Sequence, residues 1–286
     1  MKGHRYAPHT TRPFASHQPV VGARVVVYAL LTVAAAGTAY MVSLLFPYPA
    51  QITSIPPPPP PVMITIGTSK PFRALKQDYT RDTSIWKLVN KQHPLADPNY
   101  QPAHLVEVPV MFRQDLSSEE RSIRSDVAPH LKDMFDAAAK NNTPLMIGSA
   151  FRSATLQKFY FDNYVRNEGL TKAQQFSALP GQSEHQTGLA VDISTLDRTC
   201  YLSECFIRQP EGEWLANHAH EFGFILRYAA GKEAITGYHP EAWHYRYVGK
   251  ELATALQANG LAFEEVQPQL QSARETLRAR GYISAP

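Results

Sequence analysis

From Val25 to Phe46 the chain reads VVVYALLTVAAAGTAYMVSLLF, 22 positions without a charge and apolar all round a helix. That length spans a hydrocarbon layer of about 30 Å. A soluble helix would show a polar stripe, and none is present. A cleaved signal peptide normally has an apolar core of only about 7–15 residues, so a retained transmembrane anchor is expected. The next stretch, QITSIPPPPPPVMITIGTSKPF, contains six consecutive prolines, Pro56 to Pro61. They favour a stiff polyproline II rod and read as a stalk.

Beyond the stalk the apolar period alternates between helix and strand. Residues 86–110 are rich in Pro and Asn and read as an extended wrapping arm. DVAPHLKDMFDAAAKNN places Leu131, Met134, Phe135 and Ala138 at helical spacing, with Asp126 positioned to cap the start. PLMIGSA (144–150) is a short strand, and SATLQKFYFDNYVRNEG returns to helix, with Gly169 suited to its C-terminal cap. In GLAVDIS, Leu189, Val191 and Ile193 share one face while Ala190 and Asp192 share the other. GEWLANHAHEFG is helical, and FILRY and WHYRYVG are strands. In the second of these strands His244 and Arg246 face away from Trp243, Tyr245 and Tyr247. Two amphipathic helices close the chain. The pattern predicts an α+β fold: one compact domain with a central antiparallel sheet flanked by helices, its late strands pairing as a meander. The expected divisions are a basic tail (1–24), the anchor (25–46), the proline-rich stalk (47–80) and the folded domain (81–286).

Charge refines this picture. The formal net charge is +3, yet Lys2, Arg5, Arg12 and Arg24 lie in a tail without acidic residues, leaving 24 basic against 25 acidic residues elsewhere. A nucleic-acid-binding body is disfavoured, because phosphate recognition needs a basic face. The basic flank before the anchor orients the N-terminus to the cytoplasm and the domain to the outside. In that oxidising setting Cys200 and Cys205, the only two cysteines, are expected to form a short-loop disulfide, with free thiols as the alternative.

The candidate chemistry lies in two stretches, SEHQTGLAVDIS and HPEAWHYRYVG. His185 and Asp192 bracket the small residues Gly188 and Ala190, which leave room for an ion, and His244 adds a third donor. Two imidazoles and one carboxylate suit Zn²⁺, with the fourth tetrahedral position open to water, the arrangement of a catalytic zinc. Glu241, three residues before His244, is placed to act as a general acid–base. Arg152 ends the apolar strand with Gln157 a turn later. Its guanidinium either clamps a carboxylate or oxyanion or forms a salt bridge that orders the turn. His239 is a rival ligand by proximity alone, while His218 and His220 read as surface or partly packed positions on a helix.

Ser183-x-His185-x-x-Gly188-x-Ala190-x-Asp192 followed by Glu241-x-Trp243-His244 resembles the signature of the VanY-like zinc D-alanyl-D-alanine carboxypeptidases. These are related to D-Ala-D-Ala dipeptidases, L,D-carboxypeptidases and the hedgehog signalling domain. NKQHPL, SAFRS, GFILRY and WHYRYVG resemble further blocks in the same order, so the likeness covers residues 86–265. It implies a hedgehog/D,D-peptidase-like fold, zinc held by His185, Asp192 and His244, and Glu241 as catalytic base. It also implies that Arg152 contacts substrate or oxyanion, and that Ser183 and Gln157 line the pocket. The implied substrate is the peptidoglycan stem peptide, cleaved at its terminal D-alanine outside the cell. An L,D-carboxypeptidase acting on tetrapeptide stems and an inactive zinc-bearing wall-binding module are the alternatives. Two positions depart from the pattern: Ala229 follows Tyr228 where proline is common, and Ala242 stands where proline is usual. Neither removes a ligand.

Overall fold

Two short antiparallel ladders precede the main sheet in the computed structural model, which describes residues 58–284. Strand β1 (Met63–Ile64) pairs with β2 (Phe72–Arg73), and β3 (Leu105–Glu107) pairs with β4 (Ser122–Arg124). The predicted tail, anchor and first part of the stalk lie outside the described residues. Among those described, no helix is long and apolar enough to cross a membrane.

After β4 the chain forms α1 (Ala128–Lys140), β5 (Leu145–Ser149), α2 (Ala154–Glu168) and α3 (Leu170–Phe176). Then come β6 (Ala190–Thr195), α4 (Pro210–His218), β7 (Phe224–Tyr228), α5 (Glu233–Thr236), β8 (Glu241–Tyr247), α6 (Lys250–Asn259) and α7 (Gln267–Ala279). The central sheet is antiparallel in the order β5-β6-β8-β7. A simple meander is therefore not formed, because β8 inserts between β6 and β7. Strand β6 lies between β5 and β8, and all six of its residues are buried. The predicted alternation along β6 is real but separates two buried environments. Val191 and its partner Tyr245 enter the first hydrophobic core with α1 residues Leu131, Met134 and Phe135. Asp192 and its partner His244 share the opposite face.

Helix α1 starts differently from expectation. Val127 occupies the cap position, Pro129 sits in the first turn, and no side chain caps the helix. Asp126 instead accepts two hydrogen bonds from Arg124, at 2.9 and 2.5 Å. A proline in the first turn needs no amide partner, which removes part of the demand for a cap. Helix α2 does have a side-chain cap, with Ser153 accepting from the Leu156 amide at 3.2 Å.

The boundary of the folded part also moves. Val62, Ile64, Ile66, Phe72 and Tyr79, assigned from sequence to the stalk, are buried in a second core. They pack there with Trp86, with Leu252 and Leu256 of α6, and with Leu270 and Leu277 of α7. Trp86 closes this core by donating its indole N–H to the Val248 carbonyl at 2.8 Å. The stretch between Pro61 and Tyr79 supplies two short strands and part of this core, so the folded unit begins at Pro60.

Candidate active site

The segment Ser183–Gly188 is polar yet buried, which requires every donor and acceptor to be met. It folds as a tight 3₁₀ turn over Glu184–Thr187. Thr187 Oγ1 donates to the Glu184 carbonyl (2.5 Å) and accepts from the Leu189 amide (3.1 Å). The Gln186 amide reaches the wrapping arm, donating to the carbonyls of Pro98 and Tyr100 at 2.8 and 3.0 Å. Gly188 ends the turn at φ +66°, where a Cβ would meet Arg124 Cγ at 3.0 Å and Leu105 Cδ2 at 3.1 Å. Only glycine holds that backbone without strain, and so the turn delivers His185 beside β6.

His185, Asp192 and His244 converge, each offering one ligand atom within 4.8 Å of the others. His185 Nε2 lies 3.3 Å from Asp192 Oδ1, and His244 Nδ1 lies 3.2 Å from the same oxygen. The other nitrogen of each imidazole is engaged. His185 Nδ1 is 2.6 Å from the Ala150 carbonyl, and His244 Nε2 is 3.4 Å from Glu184 Oε2. A nitrogen facing a carbonyl must carry the proton, which leaves the lone pair of His185 on Nε2. His185 Nε2 and Asp192 Oδ1 are buried without a hydrogen-bond partner. Orphaned buried acceptors facing one another are costly unless a cation lies between them, and a two-nitrogen, one-oxygen set fits zinc. The three residues thus fit a metal ion.

Without a cation the three donors are tuned in different directions. Burial, helped by the nearby Arg152 guanidinium, pushes His185 down to about 4. Burial also opposes charge on His244, but the adjacent carboxylates of Asp192 and Glu184 outweigh it and push that imidazole up to about 9. For Asp192 burial again favours the neutral form, yet its two histidines and Arg152 hold the carboxyl well below its usual range.

Glu241 opens β8 opposite Tyr228. Its Oε2 is 3.6 Å from His244 Nδ1, and its side chain remains 18 % exposed to an open cleft of about 1090 Å³. Burial pushes its carboxyl up to about 7, with Asp192 adding to the rise while His244 and Arg152 oppose it. Arg152, just past β5, donates from Nη2 to Asp192 Oδ2 (3.1 Å) and from Nη1 to Gln157 Oε1 (3.2 Å). The two readings of Arg152 are therefore compatible, since it is ion-paired and also lines the cleft. Gln157 donates its own amide to Ser177 Oγ (3.3 Å) and the Ala178 carbonyl (2.8 Å), which braces Arg152 from below. Ser183 lines the same cleft.

Other sequence candidates lie elsewhere. His239 lines the cleft without joining the three donors, and His218 pairs with Glu221 at the surface. Cys200 and Cys205 are disulfide-bonded, and their loop forms a wall of the cleft through Tyr201 and Ser203. Sequence reasoning passed over Glu184, Arg227 and Arg246, which form a buried ion cluster against His244. The signal was present: an arginine within each of two otherwise largely apolar strands, FILRY and WHYRYVG, requires a carboxylate in the interior.

The family model described as VanY, D-alanyl-D-alanine carboxypeptidase, matches residues 120–250. A relative from Bacillus subtilis (strain 168), the putative carboxypeptidase YodJ, is 46% identical over 182 residues. That match covers 64% of this chain and 66% of the relative, so it takes in just under two thirds of the relative's length. The solved structure of the LdcB LD-carboxypeptidase is 41% identical with a TM-score of 0.62, covering 72% of this chain and 94% of that one. A variant of the vancomycin-resistance D,D-pentapeptidase VanY, in complex with Zn(II), is 31% identical with a TM-score of 0.53. It covers 66% of this chain and 98% of that one.

Proposed function

The chain belongs to the VanY D-alanyl-D-alanine carboxypeptidase family of zinc enzymes, and from that premise we propose that it removes the C-terminal D-alanine of peptidoglycan stem peptides. The observation that carries the reading is the convergence of His185, Asp192 and His244 on one buried point, with Glu241 3.6 Å from a donor atom. When bound there, zinc supplies a Lewis acid that polarises the scissile carbonyl and brings the pKa of a bound water to roughly 7. Glu241 Oε2 takes a proton from the attacking water and delivers it to the amine of the departing D-alanine. Burial raises its carboxyl above the ordinary carboxylate range, which favours a proton exchange of this kind. Arg152, ion-paired with Asp192 at the cleft wall, stabilises the oxyanion as negative charge moves onto the carbonyl oxygen. Gln157 fixes the guanidinium, and Ser183 lines the pocket near it.

A second reading, L,D-carboxypeptidase action on tetrapeptide stems, draws support from the likeness to LdcB. Both reactions use the same donors and differ in which residue precedes the terminal D-alanine. We place the domain outside the cell, held by residues 25–46 as an anchor and lifted by the prolines that end at Pro61. The deciding experiment is digestion of pentapeptide and tetrapeptide muropeptides by the zinc-loaded full chain, followed by mass spectrometry. Loss of one alanine from the pentapeptide supports the D,D reading, and loss only from the tetrapeptide replaces it with the L,D reading. No release from either overturns the carboxypeptidase reading.

A further inference from the structure

Two arginines lie fully buried against the metal-binding face, and their counter-charges lead away from it. Glu184 Oε1 accepts from Arg227 Nε at 2.9 Å and from Arg246 Nη1 at 2.8 Å. Glu184 Oε2 lies 3.4 Å from His244 Nε2, the partner of that nitrogen. Arg227 then forks onto Glu264, with Nη1 at 2.9 Å from Oε2 and Nη2 at 2.6 Å from Oε1. Glu264 also accepts from Asn90 Nδ2 at 3.0 Å. Arg246 is tied to the start of the arm through the Lys87 carbonyl (2.9 Å) and to the residue just before it through the Ile85 carbonyl (3.2 Å). The two guanidinium charges are matched by two carboxylates, the condition under which buried ions are tolerated.

We infer that Glu184 is a positioning residue for the metal site and that the Arg227–Glu264 pair holds it in place. This rests on the reading of His185, Asp192 and His244 as zinc ligands. With Nε2 of His244 donating to Glu184, the ring's lone pair is on Nδ1, the nitrogen 3.2 Å from Asp192 Oδ1. The other tautomer, protonated on Nδ1, would turn the Nε2 lone pair toward Glu184, and the buried carboxylate disfavours that tautomer. Glu184 cannot swing aside, because either movement leaves a buried guanidinium without its partner. The outermost link is Glu264, on the turn Phe263–Val266. That turn follows residue 250, where the family match ends, so metal affinity depends on a residue beyond the matched region.

The test uses the full chain and three forms: wild type, Glu184→Gln and Glu264→Gln. Zn²⁺ affinity is measured by competition with a chromophoric chelator. Co²⁺ substitution reports the ligand set by visible absorption, and circular dichroism monitors folding of the metal-free forms. Glu184→Gln is expected to weaken Zn²⁺ binding by roughly 10–100-fold and to shift the Co²⁺ bands. Glu264→Gln should weaken binding in the same direction by a smaller factor, with the metal-free fold retained. Affinities within about twofold of wild type and an unchanged Co²⁺ spectrum in both variants overturn the inference. If Glu184→Gln does not fold, Glu264→Gln decides: a lower affinity supports the inference and an unchanged one overturns it. A wild-type chain that binds no Zn²⁺ overturns the metal-site reading, and the inference with it.

Discussion

Glu241→Gln removes a charge and almost no volume at the mouth of the metal site. The side chain stands at the first position of β8, anchored by the backbone pairing opposite Tyr228, so the strand is expected to form as before. Glu241 is not among the three donors that lie within 4.8 Å of one another, so zinc should remain bound. Only the proton acceptor beside His244 is lost. General-base catalysis is worth about 10²–10⁴-fold, so kcat should fall by that range, about 3–5 kcal/mol of barrier at roughly 1.36 kcal/mol per decade. KM should change little, since Arg152 and the cleft wall are untouched. The assay follows D-alanine release from a pentapeptide alongside the zinc content of the same preparation. Loss of zinc together with activity would make Glu241 a ligand, and wild-type turnover with zinc retained would remove it from the mechanism.

Other substitutions test the supporting structure. His185→Ala should lose zinc and lower the melting temperature, because metal binding is coupled to folding; full zinc occupancy in that variant refutes the ligand set. Gly188→Ala forces a Cβ at φ +66° to within about 3 Å of Arg124 and Leu105 and should cost about 1–2 kcal/mol, read by chemical denaturation. Reducing Cys200–Cys205 opens a six-residue loop and should cost about 2 kcal/mol by loop-closure entropy. It should also raise KM, because Tyr201 and Ser203 wall the cleft; an unchanged KM separates the loop from substrate binding. Asp78 is held below the usual carboxylate range by its hydrogen bonds to Arg274, at 2.5 and 3.0 Å. A depressed folded pKa contributes stability that is present above the unfolded value, about 3.9, and is lost as pH falls through the folded one. Asp78→Asn should therefore lose about 1 kcal/mol at pH 7 and flatten the acid side of the stability profile. Parallel profiles for the two forms would contradict this.

Local pattern made much of the domain legible. The apolar spacing of Leu131, Met134, Phe135 and Ala138 located α1, and all four are buried. Alternation in GLAVDIS placed Asp192 on the face opposite Val191, and the register Asp192↔His244 uses that face. What stayed hidden depended on partners distant in the chain. The prolines of the stalk gave no sign that Val62 to Tyr79 would be needed to cover α6 and α7. Nothing in the spacing of FILRY and WHYRYVG said that the later strand would insert beside β6.

Side-chain period and turn chemistry are properties of neighbours, so the residue sequence by itself determined the main-sheet strands and the long helices, and which polar groups share a face, but not the short strands within the predicted stalk and arm. Strand order, the burial of Glu184 between Arg227 and Arg246, and the meeting of His185 with His244 across 59 residues were decided only in the tertiary structure. Burial removes water as a partner for each charge, and which group replaces the water is settled only when the sheet closes.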